Sequence, residues 1–264
     1  MLMRISVCTW NVWGHEAAWQ NRLPRLRDAL GLILPDVLLL QEVVQEQLEE
    51  LDTFLLNRGL TRVVGGTEEG WMSESAIYYS LALFQSVHSF GLEDLKMVGD
   101  YHKNRGLFWA RLQTRDGLHV FVSTAHLPWV GSQEEVSTGI NQRVAPCHLI
   151  NSHLQRLVKI EEDALVVFGG DLNEDFHPPR ILAGEGNPMG LTEVFQGLDC
   201  VPPTTHPVRP SSLQEESRPE RTIDWLFYRA RATGRPLCAM AKSTRGGHPP
   251  ASDHLTVIGV FDIN

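Results

Sequence analysis

The chain has 264 residues, 42% apolar and 21% charged, the proportions of an ordinary globular protein rather than a disordered one. It is acidic, with 32 Asp and Glu against 23 Lys and Arg, a formal charge of −9. That balance excludes a broad basic face for sequence-independent nucleic-acid binding, although bound divalent cations would reverse the field locally around a polyanion. The four cysteines, Cys8, Cys147, Cys200 and Cys238, are scattered without a CxxC pair. Neither a disulfide framework nor a zinc knuckle is expected, and a reducing compartment is. No apolar stretch with a small-residue cleavage site follows Met1, and the greasiest run, 30–40, is broken by Pro35-Asp36. The expectation is a cytoplasmic, monomeric protein with no signal peptide and no membrane segment, its residues 1–264 forming one domain.

In chain order, residues 5–10 read as a first strand, closed by Asn11. Leu23, Leu26, Leu30 and Ile33 then recur at helical spacing, with Arg22, Arg25, Arg27 and Asp28 between them. This predicts an amphipathic helix over 24–34, stopped by Pro35. Residues 36–40 read as a buried strand delivering Gln41-Glu42. A second helix is expected over 45–57, with Leu48, Leu51 and Leu55 inward and Gly59 as its cap. Strand, helix, strand, helix is the alternation of an α/β layer. Next come expected strands at 62–65, 75–84, 107–113 and 118–125, the last two joined by the hairpin turn Arg115-Asp116-Gly117. A helix is expected over 144–159, then a buried strand over 164–168, and final strands at 223–229, 237–242 and 255–262. The irregular stretch 201–221, containing His206, Arg209, Arg218 and Arg221, is long enough to suggest a specificity loop or a solvated insertion.

The chemistry concentrates at strand ends. After 164–168 come Gly169-Gly170-Asp171-Leu172-Asn173, where the glycines would let the backbone turn and Asp171 and Asn173 share a face at spacing i, i+2. A carboxylate beside a carboxamide can hold a water or a hard cation, although Gly, Asp and Asn are also ordinary turn residues. Five more signatures flank apolar runs: Thr9-Trp10-Asn11, Leu40-Gln41-Glu42, Thr124-Ala125-His126-Leu127, Thr222-Ile223-Asp224-Trp225 and Ser252-Asp253-His254. Each has a local reading as a turn, cap or core residue. Six of them beside buried strands point to one shared pocket. The pooled set, oxygen-rich with few nitrogens, suits Mg²⁺ or Mn²⁺ better than zinc.

This ordered set, from residue 9 to residue 254, resembles the endonuclease/exonuclease/phosphatase (DNase I-like) superfamily. The resemblance implies a four-layer α/β/β/α sandwich and a Mg²⁺-dependent phosphoesterase acting on a nucleic-acid end, nucleotide or small phosphodiester. Phosphomonoesters, lipid headgroups or non-catalytic phosphate binding are the alternatives on the same scaffold. It also implies roles. Glu42 would be the principal metal ligand, with Asn11 beside it and Asp253 supporting metal or histidine. Asp171 would activate water, Asn173 would bind a phosphate oxygen, His254 would stabilise the phosphoryl group, Asp224 would orient His254, and His126 would contact phosphate. Trp13 stands where some branches have a metal-binding Asp, which favours a one-metal site. The segment Glu68-Glu69-Gly70-Trp71 and the pair Asn104-Arg105 nonetheless resemble the tyrosyl-DNA phosphodiesterase branch. Arg105 would pair with phosphate, and Trp13, Trp71 and Trp129 would stack on a base or sugar.

Overall fold

The computed structural model describes residues 3–14, 19–63, 74–99, 105–206, 221–230, 236–242 and 251–263. Glu68, Glu69, Gly70, Trp71 and Asn104, together with Arg209 and Arg218 of the 201–221 stretch, lie outside these residues.

Among the described residues, twelve strands form two six-stranded sheets. The first contains β1 (Met3–Asn11), β2 (Val37–Gln41), β3 (Leu60–Arg62), β4 (Ser75–Ser80), β11 (Pro236–Lys242) and β12 (Thr256–Ile263), in the order β11-β12-β1-β2-β4-β3. The second contains β5 (Phe84–Asp94), β6 (Gly106–Thr114), β7 (His119–His126), β8 (Asp163–Asp171), β9 (Thr192–Glu193) and β10 (Asp224–Ala230), in the order β5-β6-β7-β8-β10-β9. Helices α1 (Trp19–Ile33) and α2 (Gln45–Leu56) accompany the first sheet. Helices α3 (Gln133–Thr138), α4 (Val144–Leu157) and α5 (His177–Ala183) follow strands of the second.

The apolar runs explain the layering. A strand's side chains alternate between faces, so a strand apolar at every position must be covered on both. In β1, Ile5 and Val7 enter the core between the sheets, while Cys8 and Trp10 enter a second core with Leu26, Leu30, Leu48 and Leu51 of α1 and α2. In β8, Leu165 and Val167 face the first sheet, while Val166 and Phe168 pack with Cys147, Ile150 and Leu154 of α4. Helix, sheet, sheet, helix is therefore the arrangement in which every greasy strand face is buried. No helix among the described residues is long and apolar enough to cross a membrane.

One feature of this topology places the site. Each sheet has a parallel pair near its middle, β1 with β2 and β7 with β8, and the other pairings are antiparallel. Parallel strands finish at the same end, so Asn11, Gln41-Glu42, His126 and Asp171 all emerge at the carboxyl edges of these pairs. β10 and β12 run antiparallel to β8 and β1, so Asp224 and the Ser252-Asp253-His254 turn enter from that same edge.

Several expected elements differ. Helix α1 starts at Trp19 and carries Pro24 inside it, because Arg22 is not a solvated residue but is buried, reaching back to the carbonyls of Val12, Trp13 and Ala251. The expected strand 75–84 is two strands separated by a turn over 81–83. Gly169 and Gly170 do not turn the chain; they remain in β8. A Cβ on Gly170 would lie 2.1 Å from the Ala125 carbonyl oxygen, and one on Gly169 would lie 3.0 Å from Thr9 Cβ. The glycines permit close approach of neighbouring strands, not a bend.

Candidate active site

The second sheet lines up three of the functional side chains by register alone. His126 on β7 is the lateral partner of Asp171 on β8, and Asp171 is the lateral partner of Asp224 on β10. Paired residues point to the same side of a sheet, so these groups adjoin without any loop placing them. His126 Nε2 lies 3.5 Å from Asp171 Oδ2 and 3.9 Å from Glu42 Oε1.

The first sheet supplies its groups differently. Glu42 follows β2 with φ of 56°, a left-handed backbone that a non-glycine residue adopts at a cost and that marks imposed geometry. Asn11 is fully buried and its Nδ2 donates to Glu42 Oε1 and to Asp171 Oδ2, both at 2.9 Å. Its Oδ1 accepts from Trp13 N at 2.8 Å. Asn11 therefore presents nitrogen to the two carboxylates and positions them; its oxygen is engaged with backbone. Trp13, also at positive φ, lies under the Arg22 guanidinium at 4.7 Å from ring centroid to Cζ.

His254 is held on every side. Its Nδ1 faces Asp224 Oδ2 at 2.9 Å, its Nε2 lies 3.7 Å from Asp171 Oδ2, and its carbonyl accepts from Trp10 Nε1 at 3.2 Å. Ser252 Oγ accepts from His254 N and donates to the Asn11 carbonyl at 2.7 Å, latching this turn to β1. Thr205 Oγ1 receives the backbone N–H groups of Ile223 and Asp224 at 3.0 Å each. Burial works against a charged imidazole, but the surrounding carboxylates of Asp224, Asp171 and Asp253 outweigh it and raise the His254 pKa well above the ordinary range. A histidine kept protonated with Nδ1 facing a carboxylate offers its Nε2–H as a donor.

Asn173 does not share an extended face with Asp171. It sits at φ 55°, its backbone N–H donates to Asp171 Oδ1 at 2.9 Å, and its Nδ2 donates to the Leu127 carbonyl at 2.8 Å. Asn tolerates that conformation better than most residues, and the turn brings its amide beside the end of β7. Asp253 Oδ1 lies 3.8 Å from His254 Nε2.

Arg105 is a correction of geometry. Its side chain is 1% exposed, with Nη2 2.6 Å from Glu74 Oε2 and Nη1 donating to the Leu127 carbonyl at 3.4 Å. Glu74 Oε2 in turn lies 3.3 Å from His126 Nδ1. Arg105 thus stands behind His126 rather than open to a phosphate. Glu74, which sequence reasoning did not single out, joins the two; no motif surrounds it, and its placement comes from a loop residue at φ 58°. Trp129 is 40% exposed and belongs to the surface, whereas Trp10 and Trp225 are core residues.

Among the described residues, three groups of side chains could each hold a cation: Glu42, His126 and Asp171; Asp171, Asp224 and His254; and His206, Asp253 and His254. The first contains Glu42, the expected principal ligand, but pairs it with His126 and Asp171 rather than with Asp253. Two carboxylates converge there on one neutral amide, a crowding of negative charge that a hard divalent cation relieves.

Residues 8–254 match the model of the Endonuclease/Exonuclease/phosphatase family. The chain belongs to that family. In sequence it is 24% identical over 197 residues to tyrosyl-DNA phosphodiesterase 2 of Danio rerio, a match covering 74% of this chain and 47% of that protein. The chain thus spans about half the length of that curated relative. Its fold is similar to the crystal structure of D. rerio TDP2 complexed with single-strand DNA product, with a TM-score of 0.76, 18% identity and 98% of both chains covered. It is similar also to the human Nocturnin catalytic domain with bound sulfate anion, with a TM-score of 0.71, 16% identity, and 100% and 97% of the two chains covered. The expected DNase I-like α/β sandwich is the fold of this family member.

Proposed function

We propose that this family member is a Mg²⁺-dependent phosphodiesterase that cleaves a nucleic-acid end, nucleotide or related small phosphodiester by in-line attack of water. The observation that carries the reading is the convergence of Glu42, Asp171 and His254 from three separate stretches of chain, the first two bridged by Asn11 and the last two 3.7 Å apart. Glu42 and Asp171, steadied by Asn11 and flanked by His126, would hold the cation, Mg²⁺ in preference to Mn²⁺ by its abundance. Bound there, it would neutralise charge on the phosphoryl oxygens.

The chain's own groups supply the rest. Asp171, with Oδ2 between Asn11 and the two imidazoles, orients the attacking water and accepts its proton. His254 donates from Nε2 to a phosphoryl oxygen, and Asp224 keeps the ring turned and charged. Asn173 has one amide N–H on the Leu127 carbonyl and a second to offer a non-bridging oxygen. His126, backed by Glu74 and Arg105, gives a further contact to phosphate. Trp129 on the surface is the candidate to stack on a base or sugar. No side chain is called on as nucleophile, so no covalent intermediate forms. Residues 1–264 act as one domain in this reading, as a cytoplasmic monomer.

The test is hydrolysis of bis-p-nitrophenyl phosphate and p-nitrophenyl phosphate with and without EDTA. The diester is expected to be cleaved, with activity lost on chelation and restored by Mg²⁺. Activity on neither compound, with Mg²⁺ binding intact, would make the chain a binding module.

A further inference from the structure

We propose that His206, Asp253 and His254 form a second cation site, separate from the Glu42 carboxylates and matched to zinc, whose occupation stops turnover. The three side chains meet beside Asp171, whose Oδ2 lies 3.7 Å from His254 Nε2. His206 Nε2 lies 3.6 Å from Asp253 Oδ2, and His254 Nε2 lies 3.8 Å from Asp253 Oδ1, so each carboxylate oxygen faces one imidazole nitrogen. The two rings meet at 62° with centroids 4.7 Å apart. One donor atom from each of the three residues falls within 4.8 Å of the others.

Tetrahedral zinc, with bonds of about 2.0–2.2 Å to nitrogen and oxygen, sets its donors about 3.3–3.5 Å apart. The two nitrogen–oxygen separations, each to a different oxygen of Asp253, lie a few tenths of an ångström outside that range, and every donor pair falls within 4.8 Å, so modest side-chain rotation closes the set. Two nitrogens and one carboxylate oxygen are the donor types of three-ligand zinc sites that leave a fourth position open. The Glu42 group has the opposite bias, two carboxylates to one imidazole, so the two sites divide between borderline and hard cations.

The frame is rigid on both sides. His206 exchanges backbone hydrogen bonds with Arg221, and Leu255 N donates to the Thr205 carbonyl at 2.7 Å. The His254 backbone is fixed by Ser252 and Trp10. The side chain of His206 is 15% exposed against 2% for Asp253, so an ion enters past His206. Zinc binding releases the Nε2 proton of His254 to solvent, and Nε2 as a ligand cannot donate to a phosphoryl oxygen; this consequence rests on the role proposed for His254 above.

The experiment uses the full chain with the exposed thiols removed by Cys200→Ser and Cys238→Ser, in excess Mg²⁺. Zinc affinity is read by competition with a colorimetric chelator, which needs no enzymatic activity. The expected result is one zinc bound, weakened about tenfold or more by His206→Ala and unchanged by Glu42→Gln. Zinc binding equally well to His206→Ala, or lost in Glu42→Gln instead, overturns the site. His206→Gln replaces the alanine variant if that variant loses cooperative unfolding. In parallel, zinc should suppress bis-p-nitrophenyl phosphate hydrolysis at the concentration where it binds. In His206→Ala the midpoint should move by the same factor, each rate taken relative to that variant without zinc. Zinc bound at His206 with hydrolysis undiminished overturns the inhibition. If no phosphoester is cleaved at all, the functional reading fails while the chelator titration still decides the site.

Discussion

The two parallel strand pairs bring their groups to the centre by different means. At β7 and β8, with β10 beside them, His126, Asp171 and Asp224 are residues of the sheet itself, set side by side by the hydrogen-bond ladder. At β1 and β2 only Asn11 is in the sheet. Glu42 has already left it in a left-handed turn, and His254 arrives on a loop tied to β1 through Ser252 and Trp10. One half therefore offers groups whose spacing is fixed by backbone, and the other offers groups whose spacing depends on side-chain ties. In the proposed reading the labour is divided: the water-activating carboxylate sits on the ladder, and the primary cation ligand sits on the turn that follows β2.

Asp171 is the residue both halves touch, and its loss should have the largest effect. Asp171→Asn keeps the shape and the hydrogen bond from Asn173 but loses the base, and kcat should fall by about 10²–10⁴-fold with the fold intact. His254→Ala should fall in the same range. A steady-state rate near that of the unaltered protein in either variant would remove that residue from the mechanism. Glu42→Gln should behave otherwise. Its main effect is expected on Mg²⁺, with the half-saturating concentration rising about tenfold or more and thermal stability little changed. An unchanged Mg²⁺ titration would strip Glu42 of its ligand role and leave the loop half without its purpose.

Much of this division can be read in the sequence, for a physical reason. Strands buried on both faces read as mostly apolar runs, so 5–10, 36–40 and 164–168 announce themselves despite Ser6, Thr9 and Asp36, and the polar residues at their ends stand out. The parts that escape are those fixed by distant partners or by broken periodicity. β5 is missed because it is a half-exposed edge strand, rich in Ser, Gln and His, and two register shifts between Phe84 and Ser89 destroy its alternation. Gly169-Gly170 reads locally as a turn, since nothing nearby in sequence says that Ala125 will press against it. Arg105 reads as a free cation because Glu74, 31 positions earlier, carries no signal of its pairing.

A smaller effect should sharpen the contact between the halves. Gln41, at the end of β2, is fully buried, and its Nε2 donates to Thr9 Oγ1 at 2.9 Å and to Thr124 Oγ1 at 2.8 Å. Thr9 belongs to the same sheet and Thr124 to the other, so this amide is a polar rivet between the two parallel pairs. Gln41→Leu keeps the bulk and strips both hydroxyls of a partner, which should cost about 1–3 kcal/mol in chemical denaturation. A loss of nearly zero would mean that apolar packing alone holds the sheets in register.

The smallest effect belongs to the ladder half and should be lost in acid. Glu174, next after Asn173, accepts from Arg143 Nε at 2.8 Å and Asn141 Nδ2 at 2.9 Å, and its other oxygen meets His177 Nδ1. Arg143 also holds Glu135 of α3 and the Pro128 carbonyl, so the network ties the loop carrying Trp129 to the end of β8. Burial pushes the Glu174 pKa up, but the hydrogen bonds from Asn141, Arg143 and His177 prevail and hold it below its ordinary 4.5. A carboxyl whose pKa is depressed on folding adds stability that is fully present above the unfolded value and is lost as pH falls through the folded one. Glu174→Gln should therefore melt below the unaltered protein at neutral pH, and the gap should narrow only below pH 4.5, where Glu174 takes up a proton. Melting temperatures measured at intervals from neutrality to acid distinguish this from simple loss of packing, which would give a gap independent of pH.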